Sequence, residues 1–253
     1  MKATDIMHPE DAKAIQMIKS VPGYEKLVRL FMKLGYEMQY RGENLANMVR
    51  VTPHCYPQIY GLFKEVVNKT GIKEPELYIY NDPEMNAYTY GETRTFVALS
   101  SSIVEKLTPE ELKGIMAHEC GHILCKHALY KTMFRTLRDM GAFMGLIHRT
   151  LFAPLYLALQ YWNRKSELSA DRCGMIITSE EIYQSSLVKL ASGLKETPGM
   201  SRCLIEQGKQ YEAFKHSSLW SRIQQEYRCV FYSHPQLCTR AMAVSYTHLR
   251  AHE

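Results

Sequence analysis

Apolar residues recur three or four apart over most of this chain, which is the spacing of one helical face. Leu27, Leu30, Phe31, Leu34 and Met38 mark a helix over residues 23–41 that Gly42 is expected to stop. Residues 8–20 follow the same period, as does the stretch from Pro57 to Lys69, ended by Thr70-Gly71. The period then changes to that of extended chain. Glu76–Tyr80 reads as a strand, Asn81-Asp82-Pro83 as a turn, and Asn86–Gly91 and Thr95–Ser100 as two further strands. Helical spacing returns over 128–149, 154–177, from Ser179 to about Leu194, over 203–229, and after Ser233-His234-Pro235. The expected fold is therefore α+β and mostly helical, with a small sheet packed just before the helix that starts near residue 109.

That helix has its start written into the sequence. Thr108-Pro109-Glu110-Glu111 is a capping box with proline at the first helical position. Leu112, Ile115, Met116, Ile123 and Leu124 make its body apolar, as a buried helix should be. Inside it lies His118-Glu119-Cys120-Gly121-His122. Histidines four apart share one helix face, so both imidazoles reach one metal ion, and Glu119 reaches a water held there. Composition alone would give about 0.03 such matches in a chain of this length. Two histidines and a glutamate in an apolar helix are costly without a partner, and one zinc ion per chain is the natural one.

A catalytic zinc usually has three protein ligands. The HExxHxxGxxH extension fails, because position 128 is alanine. His127 lies five residues past His122 and is expected to turn off the metal-binding face, while Glu180 and Glu181 are explained by capping. Asp139 and His148 stay open as alternatives. Glu167 is the strongest candidate: it sits on an apolar helix with Asp171 one turn later on the same face. Like charges at that spacing repel, so burying both calls for a cation or strong donors between or beside them. Zinc on Glu167, with Asp171 accepting from the ring N–H of a histidine ligand, meets that need.

Length and composition narrow the class further. At 253 residues the chain is long enough for a sizeable core, and its net charge of +5 is not gathered into a basic run, so nucleic acid is not expected as a partner. Seven cysteines form no CxxC pair and no even framework; they read as reduced thiols, placing the protein in the cytoplasm. Cys120 and Cys125 read as small buried apolar residues. The first residues lack the apolar core of a signal peptide. Met140–Trp162 is interrupted by His148, Arg149 and Pro154, which leaves too short a run to span a bilayer, though peripheral membrane contact stays open. Residues 245–253 break the pattern and read as a tail of non-native character. The expected organisation is an N-terminal helical region over 1–70, a catalytic domain over 71–243 and that tail from 244.

Taken together, His118-Glu119-Cys120-Gly121-His122 and Ser166-Glu167-Leu168-Ser169-Ala170-Asp171-Arg172 resemble the HExxH…ExxxD pattern of peptidase family M48. That family holds the HtpX-like proteases and the CAAX prenyl-protein endopeptidases. Asn86–Gly91 resembles its N-A-x-x-x-G edge strand, and Ser233-His234-Pro235 with Arg240 its C-terminal element. The resemblance covers roughly residues 70–243 and implies a gluzincin-like fold. It implies zinc ligation by His118, His122 and Glu167, with Glu119 as general base. It also implies that His234 and Arg240 approach the site to bind substrate or steady the oxyanion. The reaction expected is metal-assisted hydrolysis of an extended peptide or protein, added as a strand beside Asn86, Ala87 and Tyr88. The rivals are a zinc-binding scaffold that does not cleave and a membrane-associated quality-control protease.

Overall fold

A computed structural model describes residues 1–21, 23, 26, 35–195, 199–229 and 236–250, the side chains of 36, 138–154, 226–229 and 246–250 excepted. A short helix α1 (Ala3–Ile6) leads into α2 (Pro9–Lys19), which has proline at its first position and the His8 ring accepting from Glu10 N. Asp11, Ala14 and Ile18 form the buried face of α2. Much of 23–41 lies outside the described residues; helix α3 (Tyr36–Asn47) starts after Gly35 and runs through Gly42 rather than stopping there. Mid-helix glycine costs only about 1 kcal/mol relative to alanine, too little to end a helix by itself. Next come strand β1 (Val49–Val51), which the sequence reading does not contain, and helix α4 (Pro57–Thr70), closed by Gly71 in the left-handed conformation at φ 72°. Three residues are too few to display a period of two.

The remaining strands fall where alternation places them: β2 (Glu76–Tyr80), β3 (Ala87–Tyr90) and β4 (Phe96–Ser100). The order across the sheet is β1-β2-β4-β3, with β2 and β4 parallel and the outer pairings antiparallel. β4 is buried along its whole length because both faces are covered. Phe96 and Ala98 face a cluster with Tyr40 and Tyr78, while Val97 and Leu99 face the helical core. This two-sided burial explains a strand that reads as a continuous apolar run rather than an alternating one. β3 is left at the sheet edge, and among the described residues no strand pairs with its outer side.

Past the sheet come α5 (Ser101–Lys106) and α6 (Pro109–Leu124), then α7 (His127–Ile177), α8 (Glu180–Ser192), α9 (Met200–His216), α10 (Leu219–Cys229) and α11 (Leu237–Arg250). Both arms of the capping box on α6 form: Thr108 N donates to Glu111 Oε2 at 2.7 Å and Glu111 N to Thr108 Oγ1 at 3.4 Å. Two separate helices were expected over 128–149 and 154–177, but the backbone is one helix through Pro154, which costs it a donor without ending it. The expected helix over 203–229 is instead two, parted at Ser217-Ser218. Residues 245–250 continue the final helix. Among the described residues no helix is long and apolar enough to cross a membrane. The main core joins α6 to the inner face of the sheet through Phe63, Val66, Leu77, Val97, Leu99, Ile115 and Met116. A second cluster packs Ala14 and Ile18 of α2 against Met133, Phe134, Leu159 and Trp162 of α7.

Candidate metal centre

Helix α6 carries His118, Glu119 and His122 into the interior, with exposures of 4%, 3% and 0%. Gly121 lets α7 come alongside. A Cβ there would lie 2.7 Å from Cys173 Cβ and 3.2 Å from Ala170 Cα, so any side chain would force the helices apart. The close approach brings Glu167, which is fully buried, against the two imidazoles.

The result is a compact cluster of ligand-type atoms. His118 Nε2 lies 3.2 Å from Glu167 Oε2, His122 Nε2 lies 3.3 Å from Glu167 Oε1, and the two Nε2 atoms are 3.2 Å apart. Ligand atoms 2.0–2.1 Å from a tetrahedral zinc would stand about 3.3–3.4 Å from one another, and these separations are of that size, with each histidine approaching a different oxygen of Glu167. His118, Glu119 and His122 also form a compact group with ligand atoms within 4.8 Å of one another. Glu119 Oε1 is 4.0 Å from His118 Nε2, farther than the Glu167 oxygen at 3.2 Å.

Charge complements geometry. Four buried carboxylates, Asp11, Glu119, Glu167 and Asp171, are grouped with two buried cations, Lys131 and Arg240. Lys131 Nζ sits 3.0 Å from Glu167 Oε1, and that carboxylate keeps the ammonium charged against the pull of burial, which alone would lower its pKa. Nothing in the sequence distinguishes Lys131 from a surface lysine.

Around His118 the second layer is dense and ionic. His118 Nδ1 is 3.0 Å from Asp171 Oδ1 and 2.9 Å from the Tyr183 hydroxyl, which itself donates to Asp171 Oδ1 at 2.6 Å. Arg240 clamps Asp171 in a two-pronged contact, Nε to Oδ2 at 3.0 Å and Nη2 to Oδ1 at 2.5 Å. Burial alone would lower the His118 pKa, yet hydrogen bonds to Asp171 and Glu167 raise it to about 9. Burial likewise pushes Asp171 up, and the Arg240 charge with the His118 hydrogen bond brings it down to about 2. Tyr183 reaches the site from α8 because Gly174 leaves room: a Cβ there would stand 2.3 Å from the phenol ring.

The other histidine is held differently. Cys125 closes α6, Lys126 adopts a left-handed conformation at φ 59°, and His127 opens α7. This tight reversal swings His127, expected to turn away from the ligand face, behind His122, with the two Nδ1 atoms 3.0 Å apart. Burial, followed by the Lys131 charge, holds the His122 pKa well below the ordinary range, in keeping with a neutral ring.

The edge strand meets the centre through a residue that sequence reading missed. Thr89 Oγ1 donates to Glu119 Oε2 at 2.8 Å. Strand alternation carries the signal, since Ala87 and Thr89 share the buried face while Tyr88 and Tyr90 take the other. Tyr88 turns towards the tyrosine cluster, with the Arg135 guanidinium 5.7 Å above its ring. Asn86 is exposed, and its carbonyl accepts from Ser100 N at 2.9 Å. That pairing sets the ladder so that the backbones of Ala87 and Thr89 point outward from β4. Arg240 is spent on Asp171 as described, and His234 lies outside the described residues. Cys120 and Cys125 are buried and free. Asp139 and His148 have no described side chains.

With the geometry in place, the family description "Peptidase family M48" matches residues 56–248. A curated relative is the plastoglobule-localized metallopeptidase 48, chloroplastic, of Arabidopsis thaliana, 28% identical over 229 residues. The aligned part is 87% of this chain and 65% of that protein, so the chain spans somewhat less than two thirds of its relative's length.

Proposed function

The chain belongs to peptidase family M48, and from that premise we propose a zinc-dependent endopeptidase acting on extended polypeptide segments. In this reading His118, His122 and Glu167 hold the metal and Glu119 is the general base. The observation that carries it is that the Nε2 atoms of His118 and His122, 3.2 Å apart, each lie 3.2–3.3 Å from an oxygen of Glu167, with the Glu119 carboxylate beside them. A bound zinc would supply Lewis acidity, lowering the pKa of water towards about 7 and polarising the scissile carbonyl.

The protein's own residues do the rest. Thr89 occupies Glu119 Oε2, which leaves Oε1 to accept the proton of the attacking water and pass it to the leaving amine. Burial of the site excludes bulk water that would compete for that carboxylate. A substrate strand would pair with the outward backbones of Ala87 and Thr89, flanked by Asn86 and Tyr88. Because Thr89 bonds both the strand edge and the base, binding and proton transfer share one register. Arg240 acts through Asp171 to fix the His118 ring, and His234 is proposed to donate to the oxyanion. A non-cleaving scaffold has no use for a base held in place by Thr89.

The experiment is metal analysis of the purified chain with a casein or peptide-library digest. One zinc per chain and internal cleavage are expected, both lost in His118→Ala and His122→Ala. Full zinc occupancy without hydrolysis would favour the scaffold reading.

A second reading, contact with a lipid surface, is favoured by the relative's plastoglobule location and by the exposed Phe214, Leu219, Trp220 and Ile223 on α9 and α10. Vesicle flotation of wild type and Trp220→Glu tests it; a chain that stays at the bottom of the gradient in both forms ends that reading.

A further inference from the structure

Asp11 lies outside the segment that matches the family, yet it is completely buried, as is His127. Three polar groups among the described residues meet its carboxylate. Trp162 Nε1 donates to Oδ1 at 3.0 Å, Ser169 Oγ donates to Oδ2 at 2.5 Å, and His127 Nε2 stands 2.9 Å from Oδ2. The helix that carries it is pinned at its start. His8 N donates to Ser169 Oγ at 2.9 Å, and Arg172 Nη1 donates to the Met7 carbonyl at 3.3 Å. Burying a carboxylate costs several kcal/mol that must be offset locally. Two neutral donors, Trp162 and Ser169, would be served as well by an uncharged amide. The third neighbour is what calls for a charge, because His127 turns its other nitrogen on His122.

Proton placement along this line leaves no freedom. If His122 Nε2 offers a lone pair towards Glu167 and His118, the proton of that ring sits on Nδ1. It then faces His127 Nδ1, 3.0 Å away, which must be the acceptor. The proton of His127 is thereby on Nε2, facing the Asp11 carboxylate. The N–H there is not aligned along the 2.9 Å separation, so the contact is a close electrostatic approach rather than a straight hydrogen bond. The reverse order would aim an N–H into the metal centre.

We propose that Asp11 is a positioning residue of the metal centre: through His127 it fixes the tautomer and ring plane of His122, as Asp171 does directly for His118. The N-terminal helix is thus part of the site. This inference rests on His122 being a metal ligand.

The test measures zinc dissociation constants of the full chain by competition with a chromophoric chelator, for Asp11→Asn, His127→Gln and the double variant. The melting temperature of each metal-free protein is recorded alongside. Loss of such an outer partner weakens metal binding about 10–100-fold. That loss is expected in each single variant, and the double variant should lose no more than His127→Gln alone, because the two residues act in series. Should Asp11→Asn not fold, His127→Gln still reads the link. Zinc affinity within about two-fold of wild type in the variants, even with a lowered melting temperature, would overturn the proposal and leave Asp11 a packing residue. A wild-type chain that does not bind zinc would overturn the metal reading itself, and this inference with it.

Discussion

His118 and His122 sit one helical turn apart and aim the same nitrogen at the same point, but they are held from behind in opposite ways. Behind His118 are an ion pair and a hydroxyl in direct contact: Asp171, its Arg240 clamp and the Tyr183 hydroxyl, drawn from α7, α11 and α8. Behind His122 are a second imidazole and, one step further, a carboxylate from α2. The first arrangement raises the His118 pKa to about 9, so a proton competes there with the metal; the second, with burial and Lys131, keeps His122 neutral. One imidazole is therefore basic and the other neutral.

The comparison breaks most visibly on the ionic side. Asp171→Ala strands Arg240 in the interior, and breaking a buried pair in this way costs about 3–5 kcal/mol. Chemical denaturation should show that loss together with weakened zinc binding. His127→Ala leaves the Asp11 carboxylate with its Trp162 and Ser169 donors, so the expected loss is smaller, about 1–3 kcal/mol. If the two variants proved equally unstable, the contrast between the two histidines would be wrong. A smaller change sharpens it: Tyr183→Phe removes one hydroxyl between His118 and Asp171 while keeping the ring packed on Gly174. It should cost about 1 kcal/mol in a thermal melt and leave zinc stoichiometry intact.

The titration of the metal-free protein gives the gentlest probe. Asp171 is lowered from 3.8 to about 2, so its contribution to stability is present above about 3.8 and lost as pH falls through 2. His118 is raised from 6.5 to about 9, so its contribution is complete below about 6.5 and lost as pH rises through 9. Melting temperature of the metal-free chain should therefore decline on both sides of that window. With zinc bound, the alkaline decline from His118 should vanish, because the metal replaces the proton. An alkaline decline of equal size in both forms would contradict this assignment of the His118 environment.

Local signals carried the parts of the molecule that local physics decides. The capping box at Thr108 starts α6 where expected, and four-residue spacing puts His118 and His122 on one face. The repulsion between Glu167 and Asp171 on one helix pointed to a cation or strong donors, and the structure surrounds the pair with Lys131, Arg240 and the two imidazoles. What stayed hidden depends on the path of the chain. His127 swings behind His122 only because Lys126 takes a positive φ, a conformation that lysine does not advertise. Asp11 meets His127 across 116 positions of sequence, and Tyr183 meets His118 across 65, so neither leaves a periodic trace. Lys131 looks like any solvated lysine until its neighbours are known. The two expected helices that merge across Pro154 show that one breaker residue is outweighed by a long run of backbone hydrogen bonds.

The most direct measurement is peptide hydrolysis by Glu119→Gln with zinc content determined on the same sample. The amide keeps the size of the side chain and a partner for Thr89 but does not accept a proton. Zinc at one per chain, an unchanged melting temperature and a fall in kcat of about 10²–10⁴-fold are the expected result. Turnover like that of wild type, with zinc bound and the fold intact, would contradict the account at its centre.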